Sequence, residues 1–196
     1  MTAARGLAAL LREIRGCRVC AAHLPLGPRP VLRAKASARL LIVGQAPGTK
    51  VHESGIPWND RSGDRLRAWL RLDRDSFYDE SRIAIVPMGF CYPGVGANGG
   101  DLPPRKECAP LWHARVMGHL PRLELTLLVG SYAQMHYLGD RPAATMTETV
   151  QAWRDHAPRF IPLPHPSWRN TAWLKSNPWF ETELLPELRS RVRVLL

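Results

Sequence analysis

The chain has 196 residues, is 45% hydrophobic, and carries a net charge of +10 from 27 Lys and Arg against 17 Asp and Glu. This length suits one sizeable core, so we predict a single domain over residues 1–196. No run approaches the roughly 18 apolar residues of a membrane span, and residues 1–15 lack a signal peptide's apolar stretch. We therefore expect a cytoplasmic protein with no membrane partner, and the spread of basic charge favours nucleic acid unless a GC-rich genome has simply enriched Arg.

The first 38 residues are predicted to form an N-terminal helix and a loop that bears cysteines. Apolar residues at helical spacing predict a helix from about Ala3 to Arg15, ending at Gly16. This helix delivers Cys17 and Cys20, a C-x2-C pair, to a turn. In a reducing compartment such a pair indicates metal or redox chemistry rather than a disulfide.

Strands and helices alternate along the rest of the chain. This alternation predicts an α/β fold with a central, mainly parallel four-stranded sheet and helices on both faces. The predicted strands are Leu40–Val43, Ile83–Val86, Leu123–Val129 and Phe160–Leu163, and the predicted helices run from about Ser62 to Leu72, Pro104 to Leu120, Ser131 to Leu138, Thr147 to Asp155 and Pro178 to Val194.

Three loops rich in Gly and Pro follow the carboxyl ends of predicted strands: Gly44–Gly48, Gly89–Pro104 and Pro164–Ser167. Ligands of parallel sheets bind beyond these ends, so the three loops should converge on one site. The first loop fits neither a Walker A motif nor GxGxxG, so no nucleotide cofactor is expected.

The first of these loops reads GQAPG, followed by GIPW and then NDRSG. It resembles the first signature of the uracil-DNA glycosylase superfamily, which reads GE-A/G-PG and G-x-PF in the family with an iron-sulphur cluster. In a related thermophilic family, an aspartate in the downstream segment is the proposed catalytic carboxylate, and Asp60 matches it. The resemblance implies that the base contacts Gly44, Gln45 and Ala46 and stacks on Trp58, and that DNA contacts Pro47, Gly48, Ser62 and Gly63.

A second signature, HPSWRN, follows the last predicted strand. The superfamily has an H-P-S or H-P-A segment there, whose histidine donates a hydrogen bond to O2 of the departing base. By resemblance, His165 takes this electrostatic role. The DNA contacts implied by the same segment are Ser167, Trp168, Arg169 and Asn170.

Two further cysteines, Cys91 and Cys108, lie seventeen positions apart. Together with Cys17 and Cys20 they resemble the ligand layout of the iron-sulphur glycosylases, which implies a structural [4Fe-4S] cluster. Thiolates also suit tetrahedral zinc, and a branch that has lost its metal is the remaining alternative. The resemblance extends from about Leu7 to Val194.

The chain departs from these families at positions that bear on catalysis and on the choice of base. Gln45 and Ala46 replace carboxylates of the two best-known branches, so chemistry must depend on Asp60 or be absent. Pro87 stands where an asparagine reads uracil, so main-chain groups near Met88 and Gly89 are expected to read the base instead, or another base is the substrate.

The sequence thus predicts a monomeric, monofunctional DNA glycosylase that removes uracil or a related deaminated base and leaves an abasic site. Two alternatives remain. A non-catalytic protein could use the same cleft to bind damaged, abasic or single-stranded DNA. The second alternative is an enzyme that acts on free nucleosides or nucleotides, although the sequence has no motif for binding phosphate.

Overall fold

The structure is a computed structural model, and it describes residues 6–97, 99–139 and 145–196. The first helix, α1, comprises Leu7–Arg15. The predicted start of this helix at Ala3 lies outside the described residues.

The centre of the fold is a four-stranded sheet in which all pairings are parallel, with the strand order β2-β1-β3-β4. The predicted single-domain α/β architecture is therefore confirmed. Two strands have the predicted bounds, whereas β2 is one residue shorter and β3 begins two residues later. The strands are β1 (Leu40–Val43), β2 (Ile83–Ile85), β3 (Leu125–Val129) and β4 (Phe160–Leu163).

Helices cover both faces of the sheet because neighbouring strand residues point to opposite sides. Leu40 and Ile42 belong to one buried cluster, and Leu41 and Val43 belong to the other. The helices after α1 are α2 (Thr49–Ser54), α3 (Arg61–Leu70), α4 (Arg74–Tyr78), α5 (Cys108–Met117), α6 (Ser131–Leu138), α7 (Met146–Gln151), α8 (Trp153–His156), α9 (Thr171–Ser176) and α10 (Leu185–Leu195), with 3₁₀ turns at Ala21–His23 and Trp168–Asn170 and a π-helical turn at Phe180–Leu184.

Several helix predictions were wrong in their limits. The helix predicted over Thr147–Asp155 is broken at Ala152 into α7 and α8. The helix predicted from Pro178 begins as the π-helical turn before it becomes α10. The short helices α2, α4 and α9 were not predicted.

The N-terminal loop packs along the outer edge of β2. Arg33 forms an antiparallel bridge with Ile85, with hydrogen bonds in both directions at 2.9 and 2.8 Å. Val31 donates its N–H to the Phe90 carbonyl at 2.7 Å. Residues 31–33 are therefore part of the same folded unit as the sheet. In the described part of the chain, no helix has the length and apolar character that crossing a membrane requires.

Candidate active site and cysteine cluster

A cleft of about 440 Å³ opens at the carboxyl ends of the parallel strands. The loops after β1, β2 and β4 all contribute to it, so the predicted convergence of the three loops is confirmed. Both polar and apolar residues line it. The lining residues are Val31, Gly44, Gln45, Ala46, Pro47, Gly48, Val51, Pro57, Trp58, Asp60, Ser62, Ile85, Pro87, Gly99, Gly100, Asp101, His165, Ser167, Trp168, Arg169 and Asn170.

Trp58 forms one wall of the cleft, and hydrogen bonds to the backbone hold it in place. Its φ of 58° is left-handed, which is costly for a bulky residue. The buried guanidinium of Arg67 donates to the Trp58 carbonyl at 3.3 Å, and the Tyr78 hydroxyl donates to the Pro57 carbonyl at 2.8 Å. These hydrogen bonds hold the strained turn in place.

The Trp58 ring packs between the first and last loops. A Cβ on Gly44 would lie 2.7 Å from the indole, so only glycine permits this approach. On the other side, the ring centroids of Trp58 and His165 are 5.6 Å apart with a tilt of 36°. The indole and the imidazole therefore stand together at one end of the cleft.

Asp60 caps the amino end of α3. Its Oδ1 accepts the Gly63 N–H at 2.8 Å, which fixes the carboxylate toward the cleft and leaves the second oxygen available. The capping role is an additional function that the sequence analysis did not anticipate.

His165 follows β4 and is positioned by its own loop. Asn170 donates from Nδ2 to the His165 carbonyl at 2.7 Å, and Arg65 on α3 donates to the Ser167 carbonyl at 2.9 Å. Burial lowers the pKa of His165, and the nearby Asp60 carboxylate opposes this only in part. The imidazole is therefore neutral near pH 7 and can donate one N–H to a ligand.

Met88 and Gly89, whose main-chain groups were predicted to read the base, are not among the residues that line the cleft. The N–H of Met88 is donated to the Gly44 carbonyl at 2.8 Å, and that of Gly89 to the Gln45 carbonyl at 2.9 Å. These bonds continue the pairing of β1 and β2 beyond the sheet. Both N–H groups are therefore already hydrogen-bonded to the first loop.

Gly63, a predicted DNA contact, also lies outside the lining of the cleft. Gly63 is buried in α3 beneath the Trp58 carbonyl and does not line the cleft. Asn170 and Arg169 do line the cleft, but their side chains also make contacts within the protein. The Asn170 amide is bonded to His165, and Arg169 donates from Nη2 to the Gly99 carbonyl at 2.8 Å.

Pro87 lines the cleft, and its carbonyl is hydrogen-bonded to His113. The Nε2 of His113 lies 2.9 Å from the Pro87 carbonyl, and Nδ1 lies 2.9 Å from the Tyr137 hydroxyl. Because a carbonyl only accepts, Nε2 carries the proton and Nδ1 accepts from Tyr137. Burial, with a smaller contribution from His136, lowers the pKa of His113 to about 4. His113 could not be identified from the sequence, since nothing in its surroundings along the chain marks it.

The four cysteines line a second, smaller pocket beside α1 and α5. None forms a disulfide, and the walls between them are largely apolar, from Leu24, Pro28, Pro30 and Trp112. Across residues 6–97, 99–139 and 145–196, no three or more His, Cys, Asp or Glu side chains converge closely enough to hold one metal ion.

The environment of three of these thiols disfavours the thiolate form. Burial raises the pKa of Cys20, raises that of Cys91 to about 11, and raises that of Cys108 to about 12. The Phe90 N–H points at Cys108 Sγ at 3.4 Å and opposes this effect in part. A metal-bearing group would have to displace the thiol protons on binding.

A model of the uracil DNA glycosylase superfamily matches residues 33–189 of the chain. The match includes all four strands and every residue that lines the large cleft except Val31. Cys17 and Cys20 lie outside it.

Proposed function

Because the chain belongs to the uracil-DNA glycosylase superfamily, we propose that it hydrolyses the N-glycosidic bond of a flipped-out uracil or related deaminated base in DNA. The observation that carries this proposal is the meeting of Asp60, Trp58 and His165 in one cleft at the strand ends. A carboxylate, an aromatic wall and a neutral hydrogen-bond donor are what base excision requires.

His165 stabilises the departing base. As the C1′–N bond lengthens, negative charge accumulates on the base and its carbonyl oxygens. A neutral imidazole donates to such an oxygen without having to lose a proton. The hydrogen bond from Asn170 to the His165 carbonyl holds the backbone from which the ring extends.

Asp60 faces the sugar, on which positive charge develops as the bond breaks. The cap to Gly63 holds its carboxylate in place before the substrate arrives, so little reorganisation is needed in the transition state. Trp58 offers its ring for stacking on the extruded base, which contributes about 1–3 kcal/mol to capture.

DNA would lie across the mouth of the cleft. Trp168 is 72% exposed, and the Arg169 guanidinium is 5.6 Å from its ring centroid. An exposed aromatic side chain beside a cation suits contact with bases and phosphates, as does the net charge of +10.

The cysteine pocket is proposed to hold a [4Fe-4S] cluster through Cys17, Cys20, Cys91 and Cys108. The four thiols, the apolar walls and the N–H directed at Cys108 are the surroundings that such clusters have in proteins. When bound, the cluster would join the N-terminal loop to α5, with no redox step in base excision. Protein purified without oxygen should contain iron and acid-labile sulphide, and Cys91→Ser should lose both and lower the melting temperature.

The second candidate function is DNA binding without catalysis. It is favoured by Gln45 and Ala46, which stand where the related families carry carboxylates. The exposed Trp168 serves binding as well as catalysis. This function predicts binding without turnover, and the affinity for DNA should be the same in Asp60→Asn as in the wild type.

Single-turnover cleavage of an oligonucleotide with one uracil tests the proposal, with alkali used to reveal abasic sites. Asp60→Asn and His165→Gln should each lower the rate by at least about 100-fold, which corresponds to about 2.7 kcal/mol of barrier. Asp155→Asn removes an equal charge from exposed α8 and serves as the control. Equal rates in all four proteins would contradict the proposal.

A further inference from the structure

The glycine-rich segment between β2 and α5 folds back on itself beside the cleft. Val95 and Asp101 form an antiparallel bridge, the Gly96 N–H donates to the Gly100 carbonyl at 2.7 Å, and the Leu102 N–H donates to the Gly94 carbonyl at 2.8 Å. We refer to residues 94–97 and 99–102, which the structure describes, as the glycine hairpin.

The glycine hairpin is attached to both of the loops that carry the proposed catalytic groups. Gln45, in the first loop, donates from Nε2 to the Leu102 carbonyl at 3.2 Å. Arg169, in the last loop, donates to the Gly99 carbonyl at 2.8 Å. A Cβ on Gly100 would lie 2.6 Å from this guanidinium, so the Arg169 side chain packs directly against the backbone of Gly100. These contacts fix the hairpin across the cleft.

The hairpin places the Asp101 carboxylate in the cleft wall. An ideal Cβ on Gly48 would be 3.4 Å from Asp101 Oδ2, so this oxygen lies over the first loop. Asp60 lines the same cleft and is near enough to influence the ionisation of Asp101. Among the described residues, none donates a hydrogen bond to the Asp101 carboxylate or pairs with it, whereas one oxygen of Asp60 is bound to Gly63.

The surroundings of Asp101 suit a base. Desolvation in the cleft raises the pKa of its carboxyl, the Asp60 carboxylate raises it further, and Arg169 lowers it in part. A carboxylate whose pKa is moved toward the working pH is a better proton acceptor than an exposed one.

We propose that Asp101 is a second catalytic carboxylate of this site, which accepts a proton from the water that attacks the sugar; this rests on the proposed glycosylase function. The water oxygen forms a bond to C1′, the C1′–N bond breaks, and its electron pair leaves with the base. The proton goes to Asp101. Asp60, which is fixed by its cap, stabilises the positive charge of the sugar.

The test uses an oligonucleotide carrying whichever of uracil, hypoxanthine or xanthine the wild type excises. Asp101→Asn should lower the single-turnover rate by about 100-fold, while the affinity for DNA containing a tetrahydrofuran abasic analogue changes less than about threefold. The wild-type rate should fall at acidic pH as Asp101 is protonated. Asp101→Asn should make the fall of the rate in acid smaller, and Asp101→Glu should restore it together with part of the rate.

Asp155→Asn serves as the matched control. A rate for Asp101→Asn within about threefold of this control would overturn the inference, and if Asp60→Asn were still inactive the proposed function would stand. An equal loss of rate and affinity in Asp101→Asn would also overturn it, because it would show a binding role. If the wild type excises none of the three bases, the proposed function and the inference both fail.

Discussion

The carbonyl oxygen of Trp58 lies only 1.7 Å from the position that a Cβ on Gly63 would occupy. The left-handed turn at Trp58 and the first turn of α3 therefore fit together only because residue 63 has no side chain. This relationship joins the proposed base-stacking wall to the helix that Asp60 caps.

Gly63→Ala should lower the free energy of unfolding by about 1–3 kcal/mol, because backbone rather than a flexible side chain must move. It should also lower the excision rate through displacement of Trp58. Urea denaturation and single-turnover assays measure the two effects. The control is Gly118→Ala at the end of α5, where the nearest atom would be 3.5 Å away and stability should be kept. Equal stability of both variants would contradict the account of the turn.

Asn170→Asp should lower the excision rate about tenfold, because a carboxylate cannot donate to the His165 carbonyl. The affinity for abasic DNA should change much less. Asn177→Asp removes a similar bond, from Nδ2 to the Trp173 carbonyl at 2.8 Å, outside the cleft. The control should therefore affect stability without affecting the rate. A wild-type rate in Asn170→Asp would show that this bond does not position His165.

Trp168→Ala should weaken DNA binding by about 1–3 kcal/mol and leave the free energy of unfolding within about 0.5 kcal/mol of the wild type. The side chain is 72% exposed, so its removal costs little packing. Fluorescence anisotropy with a labelled oligonucleotide measures the affinity. Val194→Ala changes a similarly exposed side chain on α10 and should bind like the wild type. Unaltered binding by Trp168→Ala would remove this residue from the DNA interface.

His113 should cause the free energy of unfolding to decrease at acidic pH. Its pKa is about 4 in the folded protein and about 6.5 when unfolded, so below 6.5 the unfolded chain takes up the proton first. The contribution is fully present above pH 6.5 and is lost as the pH falls to 4, by about 3 kcal/mol in all.

Urea denaturation of the wild type and His113→Gln from pH 4 to 7 measures this difference. The free energy of unfolding of the variant should depend less on pH over that range, because its unfolding takes up one proton fewer. His136 and Tyr137 face the imidazole and are unchanged in the comparison. His23→Gln, at an exposed position, should follow the wild-type curve. Parallel curves for His113→Gln and the wild type would show that His113 is not held neutral.

The sheet could be predicted from the sequence because each strand is a short, continuous apolar run that is buried on both faces. The missed helices α2, α4 and α9 have six, five and six residues. Fewer than two turns carry no readable periodicity, and such helices depend on tertiary packing.

The site was predicted in part because motifs identify residues but not their partners. Trp58, Asp60 and His165 lie together as the resemblance implied. The use of the Met88 and Gly89 N–H groups by the first loop could not be inferred, because it depends on the register in which β1 and β2 pair. The place of Asp101 likewise depends on contacts between distant parts of the chain.

The most direct test of base excision is mass spectrometry of an oligonucleotide containing one uracil after incubation with the protein. We expect free uracil and an intact strand bearing one abasic site, and far less of both products with His165→Gln over the same time. If the folded protein binds oligonucleotides containing uracil, hypoxanthine or xanthine but releases none of these bases, base excision is contradicted. DNA binding would then remain as the function of the cleft.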